Sequence, residues 1–253
     1  MKILSIDTAS NICTVAILEN KTCIKEITVD DTRNHSEKIM PAIEDVLSDT
    51  NLSLSDIDLI VCDKGPGSFT GIRIGVGTVL AFKDSLNIEC IGISSLEALA
   101  YNCDNEGLIC SLIDAKNDNV YWGLFEHKNN QYTLINKLEF NNINTVIEKI
   151  SSHSNPITFV GDGAEQHAEL LKNSFTNCSF CEKNSLSSIS LGIAGYDTYK
   201  NGKVTSIMPL YLRKSQAERA LEEKSQKEWF YGNCYNDFRR FRTNERYFIF
   251  WFW

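Results

Sequence analysis

The run Gly65-Pro66-Gly67-Ser68-Phe69-Thr70-Gly71-Ile72-Arg73-Ile74-Gly75 constrains this chain more than any other stretch. It follows the apolar segment Asp58-Leu59-Ile60-Val61-Cys62, which reads as a buried strand, and it leads into Ile72 to Leu86, which reads as a helix. Gly and Pro between a strand and a helix make a tight turn. Ser68 or Thr70 is placed to cap the helix. Such a corner suits an anion, because unpaired backbone N–H groups and the helix dipole both favour phosphate. The run nevertheless matches neither common nucleotide fingerprint. Walker A requires a Lys that is absent, and Thr70 stands where the Rossmann pattern needs its third glycine. A nucleophile elbow is also missing: Ser68 has Pro66 two residues before it, and Ser94 has Leu96 two residues after it.

Ile3–Ile6 and Thr14–Leu18 are β-branched, apolar runs joined by Asp7-Thr8-Ala9-Ser10-Asn11, the pattern of a hairpin with a polar turn. The pattern recurs from Leu112 through Asp114-Ala115-Lys116-Asn117-Asp118 to Phe125. Aligning Asp7 with Asp114 predicts a constant offset along both hairpins, hence two related α/β halves with a cleft between them. The polar stretch Asn102–Gly107 marks the join. Asp7 and Asp114 each end a first strand. They either hold a magnesium ion through water at the cleft or merely close a polar turn.

A helix is expected from about His35 to Ser48, with Asn34 and Glu37 forming a capping box. Ile39, Met40, Ile43, Val46 and Leu47 share one face, and Pro41 either kinks the helix or marks its first turn. Cys90–Ile93 and Ile157–Val160 read as strands; Ser94–Tyr101, Ala164–Lys172, Ser188–Lys200 and Gln216–Lys227 read as helices. Gly71, Gly75 and Gly77 fall inside a predicted helix, where each costs ~1 kcal/mol relative to Ala. Either they let the helix pack closely on its own sheet, or they thin one face so that another helix can approach.

A chain of 253 residues carrying a net charge of −8, without clustered Lys and Arg in its body, is poorly suited to gripping nucleic acid alone. The opening apolar run is broken by Asp7, so no export signal is expected, and no stretch is long enough to span a membrane. The nine cysteines then read as reduced, cytosolic thiols, Cys178 and Cys181 being an isolated pair without a zinc partner pair. The four histidines show no metal-ligand spacing. From Trp229 to Trp253 twelve of 25 residues are aromatic, with no period that would bury them. That segment reads as a membrane-surface anchor or, preferably, as an extension outside the fold.

Ile3-Leu4-Ser5-Ile6-Asp7-Thr8-Ala9, His35-Ser36-Glu37 with Pro41, the glycine run, Ser94-Ser95-Leu96-Glu97, Asp114-Ala115, Gly161-Asp162-Gly163 and Pro209-Leu210-Tyr211-Leu212-Arg213 resemble the TsaB (YeaZ) family, from residue 1 to about 227. The resemblance implies an α/β, actin/Hsp70/sugar-kinase-like (ASKHA) fold of two duplicated lobes: 1–105, with the partner-binding helices, and 106–227, followed by the aromatic tail 228–253. It also implies a cytoplasmic, non-catalytic role in forming N6-threonylcarbamoyladenosine beside the anticodon of tRNAs that read codons beginning with A. There the TsaD-like relative carries out the transfer, a TsaE-like ATPase is a third member, homodimers also form, tRNA is met through the complex, and no membrane is involved. The catalytic relative holds metal with a His-x-x-x-His pair. The similar place here is Ser95-Leu96-Glu97-Ala98-Leu99, and Leu cannot ligate a metal; no catalytic or metal-binding residue is expected.

The resemblance requires no cofactor of this chain but leaves room for ATP or ADP at a shared site. The candidate phosphate corner is Asp7, Thr8, Gly65, Gly67, Ser68, Thr70, Gly71 and Asp114. The candidate partner surface is Ile39, Ile43, Val46, Gly71, Arg73, Gly75 and Gly77. The alternative is an independent small-molecule kinase on the same fold, with Asp63 as its base and with Asp7, the Gly65–Gly71 loop and Gly161-Asp162-Gly163 flanking ATP.

Overall fold

The computed structural model describes residues 1–10, 12–29, 35–203, 205–213 and 218, with backbone alone at 35 and 36. The expected cap at Asn34, the helix Gln216–Lys227 and the tail 228–253 lie outside these residues, Glu218 excepted. Met1–Leu212 forms one compact unit.

The chain opens with the antiparallel meander β1 (Lys2–Asp7), β2 (Cys13–Glu19) and β3 (Thr22–Val29). Helix α1 (His35–Asp49) leads to β4 (Leu59–Asp63), and α2 (Phe69–Leu86) leads to β5 (Glu89–Ile93). The sheet order is β3-β2-β1-β4-β5, with β4 parallel to both neighbours. After α3 (Ser95–Ala100) the pattern repeats with β6 (Gly107–Asp114), β7 (Asn119–Lys128), β8 (Gln131–Leu134), β9 (Glu139–Asn142), α4 (Ile143–Ile150), β10 (Ile157–Val160), α5 (Asp162–Gln166), α6 (Ala168–Ser174) and β11 (Cys178–Phe180). The second sheet runs β11-β10-β6-β7-β8, with β9 added on β7. Each sheet is thus a three-stranded antiparallel meander whose first strand is joined by two parallel strands.

The first sheet is apolar on both faces because both faces are covered. Along β1 and β4 the side chains alternate. Leu4, Ile6, Ile60 and Cys62 join the cluster under α1 and α2, whereas Ile3, Leu59 and Val61 join the cluster under α7 (Ser188–Lys200). Helix α7 lies so close that a Cβ at Gly195 would collide with Val61. The chain therefore crosses to the second sheet and returns to finish the first.

Several sequence expectations shift. The two hairpins are not offset by a constant amount. Asp7 pairs with Thr14, but Asp114 pairs with Val120, so the second turn is one residue shorter. Helix α2 starts at Phe69 rather than Ile72 because Ser68 caps it, its Oγ accepting from Gly71 N at 3.2 Å. The predicted helix Ala164–Lys172 is broken at His167 into α5 and α6. Pro41 lies inside α1 and does not begin it. Met40 is 40% exposed, off the buried face formed by Ile39, Ala42, Ile43, Val46 and Leu47. Among the described residues no helix is long and apolar enough to cross a membrane.

Candidate functional site

The glycine corner is filled from within. Ser68 N donates to Ala9 O at 2.7 Å, and Thr8 Oγ1 donates to Gly71 O at 2.7 Å. A Cβ at Gly67 or Gly71 would collide with the Ala9 or Thr8 carbonyl oxygen, and one at Gly75 with Thr8 Oγ1. These three glycines let the first turns of α2 lie directly on the β1–β2 turn, which decides between the two readings of the helix glycines in favour of close packing for Gly71 and Gly75. Gly77 differs, with nothing near the place its Cβ would take. Gly65 adopts φ +97°, which favours glycine, and its N donates to Asp63 Oδ1 at 2.6 Å.

Asp7 does not face a cleft. It is buried, and its Oδ1 accepts from Ala9 N at 2.7 Å. Its carboxyl meets that of Asp63, equally buried at the end of the neighbouring parallel strand. Asp63 Oδ1 also accepts from Ser95 Oγ at 2.7 Å. The remaining oxygens, Asp7 Oδ2 and Asp63 Oδ2, have no donor from the rest of the protein, so a proton held between the carboxyls is what satisfies them. Burial, followed by the Asp63 charge, holds Asp7 well above the usual carboxylate range. Burial lifts Asp63 to about 6 against the hydrogen bonds from Gly65, Ser95 and Asp7. The proton belongs to the pair, shared between the two carboxyls.

A cleft of about 430 Å³ lies between the carboxyl ends of the two sheets. Ala9, Ser10, Pro66, Gly67 and Ser68 form one wall; Leu99, Ile113, Asp114, Lys116, Tyr121, Asp162, Glu165 and Asn184 contribute to the other. Of the expected phosphate corner, only Gly67, Ser68 and Asp114 reach this cleft; Asp7, Thr8, Gly65, Thr70 and Gly71 do not line it. Asp114 receives the Lys116 side chain at 2.6 Å and the Lys116 N–H at 2.9 Å. Desolvation pushes its carboxyl up, but those bonds and the Lys116 charge outweigh it and hold Asp114 below its ordinary value. Asp162 Oδ1 accepts from Asp114 N at 3.0 Å.

With Asp114, Asp162 and Glu165 set against Lys116, the lining fits a nucleotide polyphosphate poorly. The polar residues Lys116, Glu165 and Asn184 were not singled out from sequence. The signal available for Lys116 was its position two residues beyond a strand-ending Asp. Among the described residues no three His, Cys, Asp or Glu side chains gather as a metal site.

The positions similar to the catalytic relative's histidines are built over. Ser95 is buried and spends its hydroxyl on Asp63, and its N donates to Gly65 O at 3.0 Å. Leu99 is buried in an apolar cluster with Leu96 and Val160. Asp63, the base of the kinase alternative, faces Asp7 and does not line the cleft. The expected partner surface also changes. Ile39, Ile43 and Val46 are used inside the chain, packed with Val15, Ile17 and Ile60 under the first sheet. The outward face of α2 carries Thr70, Arg73 and Gly77, and the Arg73 Nε–H donates to Tyr211 Oη at 2.9 Å. Phe69 stacks on the same Tyr211 ring at 4.8 Å.

Residues 23–221 match a family model described as TsaD, tRNA N6-adenosine threonylcarbamoyltransferase. The tRNA threonylcarbamoyladenosine biosynthesis protein TsaB of Bacillus subtilis is 31% identical over 222 residues, covering 86% of this chain and 96% of the relative. The chain belongs to the TsaB family. YeaZ from Pseudomonas aeruginosa has the same fold, with a TM-score of 0.69 at 24% identity over 83% of this chain and 99% of that one. An ROK hexokinase from Thermus thermophilus superposes with a TM-score of 0.52 at 8% identity, covering 80% of this chain and 100% of that one. The TsaB-family chain thus has the two-lobed ASKHA fold, shared with a sugar kinase.

Proposed function

We propose that this TsaB-family chain works in the biosynthesis of tRNA threonylcarbamoyladenosine as the non-catalytic partner of a TsaD-like threonylcarbamoyltransferase. The observation that carries this reading is the place where the relative holds metal. Here Ser95 donates to a buried carboxylate and Leu99 fills an apolar cluster, so the chain contributes no ligand there. The reaction then belongs to the partner, and this chain contributes a surface that binds and activates it. The outward face of α2, with Thr70, Arg73 and Gly77, is the surface assigned to that contact, and a homodimer uses the same face. The acidic lining of the cleft supports a reading in which the phosphates of any shared nucleotide lie on the partner. A TsaE-like ATPase completes the assembly, tRNA is reached through the complex, and the modified adenosine lies beside the anticodon of tRNAs reading codons that begin with A. The three act in the cytoplasm.

The test is reconstitution. The full chain and its TsaD-like partner are expected to co-elute from size exclusion, and tRNA modification is expected to need both. Full modification by the partner without this chain overturns the proposal. ATP-dependent phosphorylation of a sugar by this chain alone would favour the kinase reading.

A further inference from the structure

The chain passes between its two sheets twice: outward through 101–106, from α3 to β6, and back through 181–187, from β11 to α7. Asn102 ties the two passages together. Its Nδ2 donates to Lys183 O at 2.8 Å and Ser185 O at 3.0 Å, and its Oδ1 accepts from Ser190 Oγ. Its backbone oxygen receives the Cys181 Sγ–H at 3.4 Å. That contact sets the Cys181 sulfur beside the next residue, Cys103. Cys103 is buried in an apolar cluster with Leu96, Leu99 and Ala100, Cys181 packs against the same cluster, and the two thiols are near enough to interact.

Cys178 and Cys181 are near in sequence and read there as two ordinary thiols, and the fold separates them. Cys178 packs with Phe175 and Phe180 against the cluster around Phe159, and its Sγ–H points to Phe175 O at 3.5 Å. Cys181 lies past the end of β11 and packs into the other cluster, with Val160 and Leu99. Cys103 is buried and Cys181 half-buried, so Cys181 is the thiol that a small oxidant reaches first.

We propose that Cys103 and Cys181 form a reversible disulfide that staples the two passages and fixes the spacing of the sheets across the cleft. The oxidant is a low-molecular-weight disulfide. The Cys181 thiolate attacks one of its sulfurs, an S–S bond breaks, and the departing thiolate takes up the proton Cys181 gave up. The Cys103 thiolate then attacks the Cys181 sulfur of the mixed disulfide and releases the second small thiol, which takes the Cys103 proton. Two protein thiols lose two electrons, and one small disulfide becomes two thiols. The closed loop holds the whole second sheet, the geometry in which a cross-link restrains the unfolded chain strongly.

The test equilibrates the full chain in glutathione buffers of graded redox poise, alkylates the remaining thiols and maps the peptides. The expected product links the Cys103 and Cys181 peptides, opens with dithiothreitol, persists in Cys178→Ser and is lost in Cys181→Ser. The oxidised chain should melt roughly 5–10 °C higher, with slower amide exchange in 101–106 and 181–187. A Cys178–Cys181 link, or a glutathione adduct on Cys181 that never closes, overturns the proposal. So does a Cys103–Cys181 link that leaves exchange in both passages unchanged. The wild-type map decides even where a serine variant folds poorly.

Discussion

Paired with Asp63, Asp7 keeps a proton to higher pH in the fold than in the unfolded chain, and this couples stability to pH. Unfolded, it ionises near pH 4; folded, burial and Asp63 keep it protonated well above that. Between those values the folded chain binds the extra proton, so stability falls as pH rises from about 4. Asp63, raised to about 6, steepens the fall between about pH 4 and 6. In Asp7→Asn the amide supplies a hydrogen to Asp63 without needing a proton. That variant should be more stable than the parent above about pH 4 and show a flatter profile of melting temperature against pH. An unchanged profile would show that the Asp7–Asp63 pair holds no such proton. The pairing of Asp63 with Asp7 was not legible in the sequence, because it depends on β1 and β4 being parallel neighbours fifty-odd residues apart. A reader of the sequence sees two strand-ending aspartates without knowing that they face one another.

Helix α2 separates two kinds of glycine that look alike in sequence. Gly71→Ala drives a Cβ into the Thr8 carbonyl. It should cost about 2–4 kcal/mol, seen as a lower denaturation midpoint. Gly77→Leu enters open space in the chain and adds helix propensity worth up to about 1 kcal/mol, so the monomer should be as stable or more so. If the outward face of α2 is the partner surface, the same variant should weaken binding to the TsaD-like partner at least tenfold by calorimetry. Undiminished binding would move the interface elsewhere. The helix itself, its cap at Ser68 and the apolar stripe of α1 were legible from residue spacing. What covers each face was not, since the period of Ile39, Ile43 and Val46 is the same whether they meet β2 or another chain. Strand β3 and helix α4 were not anticipated: β3 buries no residue fully, and α4, though amphipathic, is only two turns long.

At the scale of the whole molecule, the duplicated openings signalled two sheets, and the strand orders β3-β2-β1-β4-β5 and β11-β10-β6-β7-β8 share one plan. The return of α7 to the first sheet carried no sequence signature beyond small residues such as Gly192 and Gly195. Asn102, where the outward and return passages meet, has its amide fully engaged. Asn102→Ala leaves Lys183 O, Ser185 O and Ser190 Oγ short of partners and should cost about 2–4 kcal/mol, measured by urea denaturation.

The late arrival of α7 also bears on biosynthesis. Strands β1 to β5 are complete once Ile93 leaves the ribosome, yet Ile3, Leu18, Val61 and Ile93 present an apolar face that awaits Leu191 and Ala194. At about 5–20 residues per second, the intervening chain takes roughly 5–20 s to be made. Throughout that interval the nascent first sheet offers a sticky surface to chaperones and to other unfinished chains.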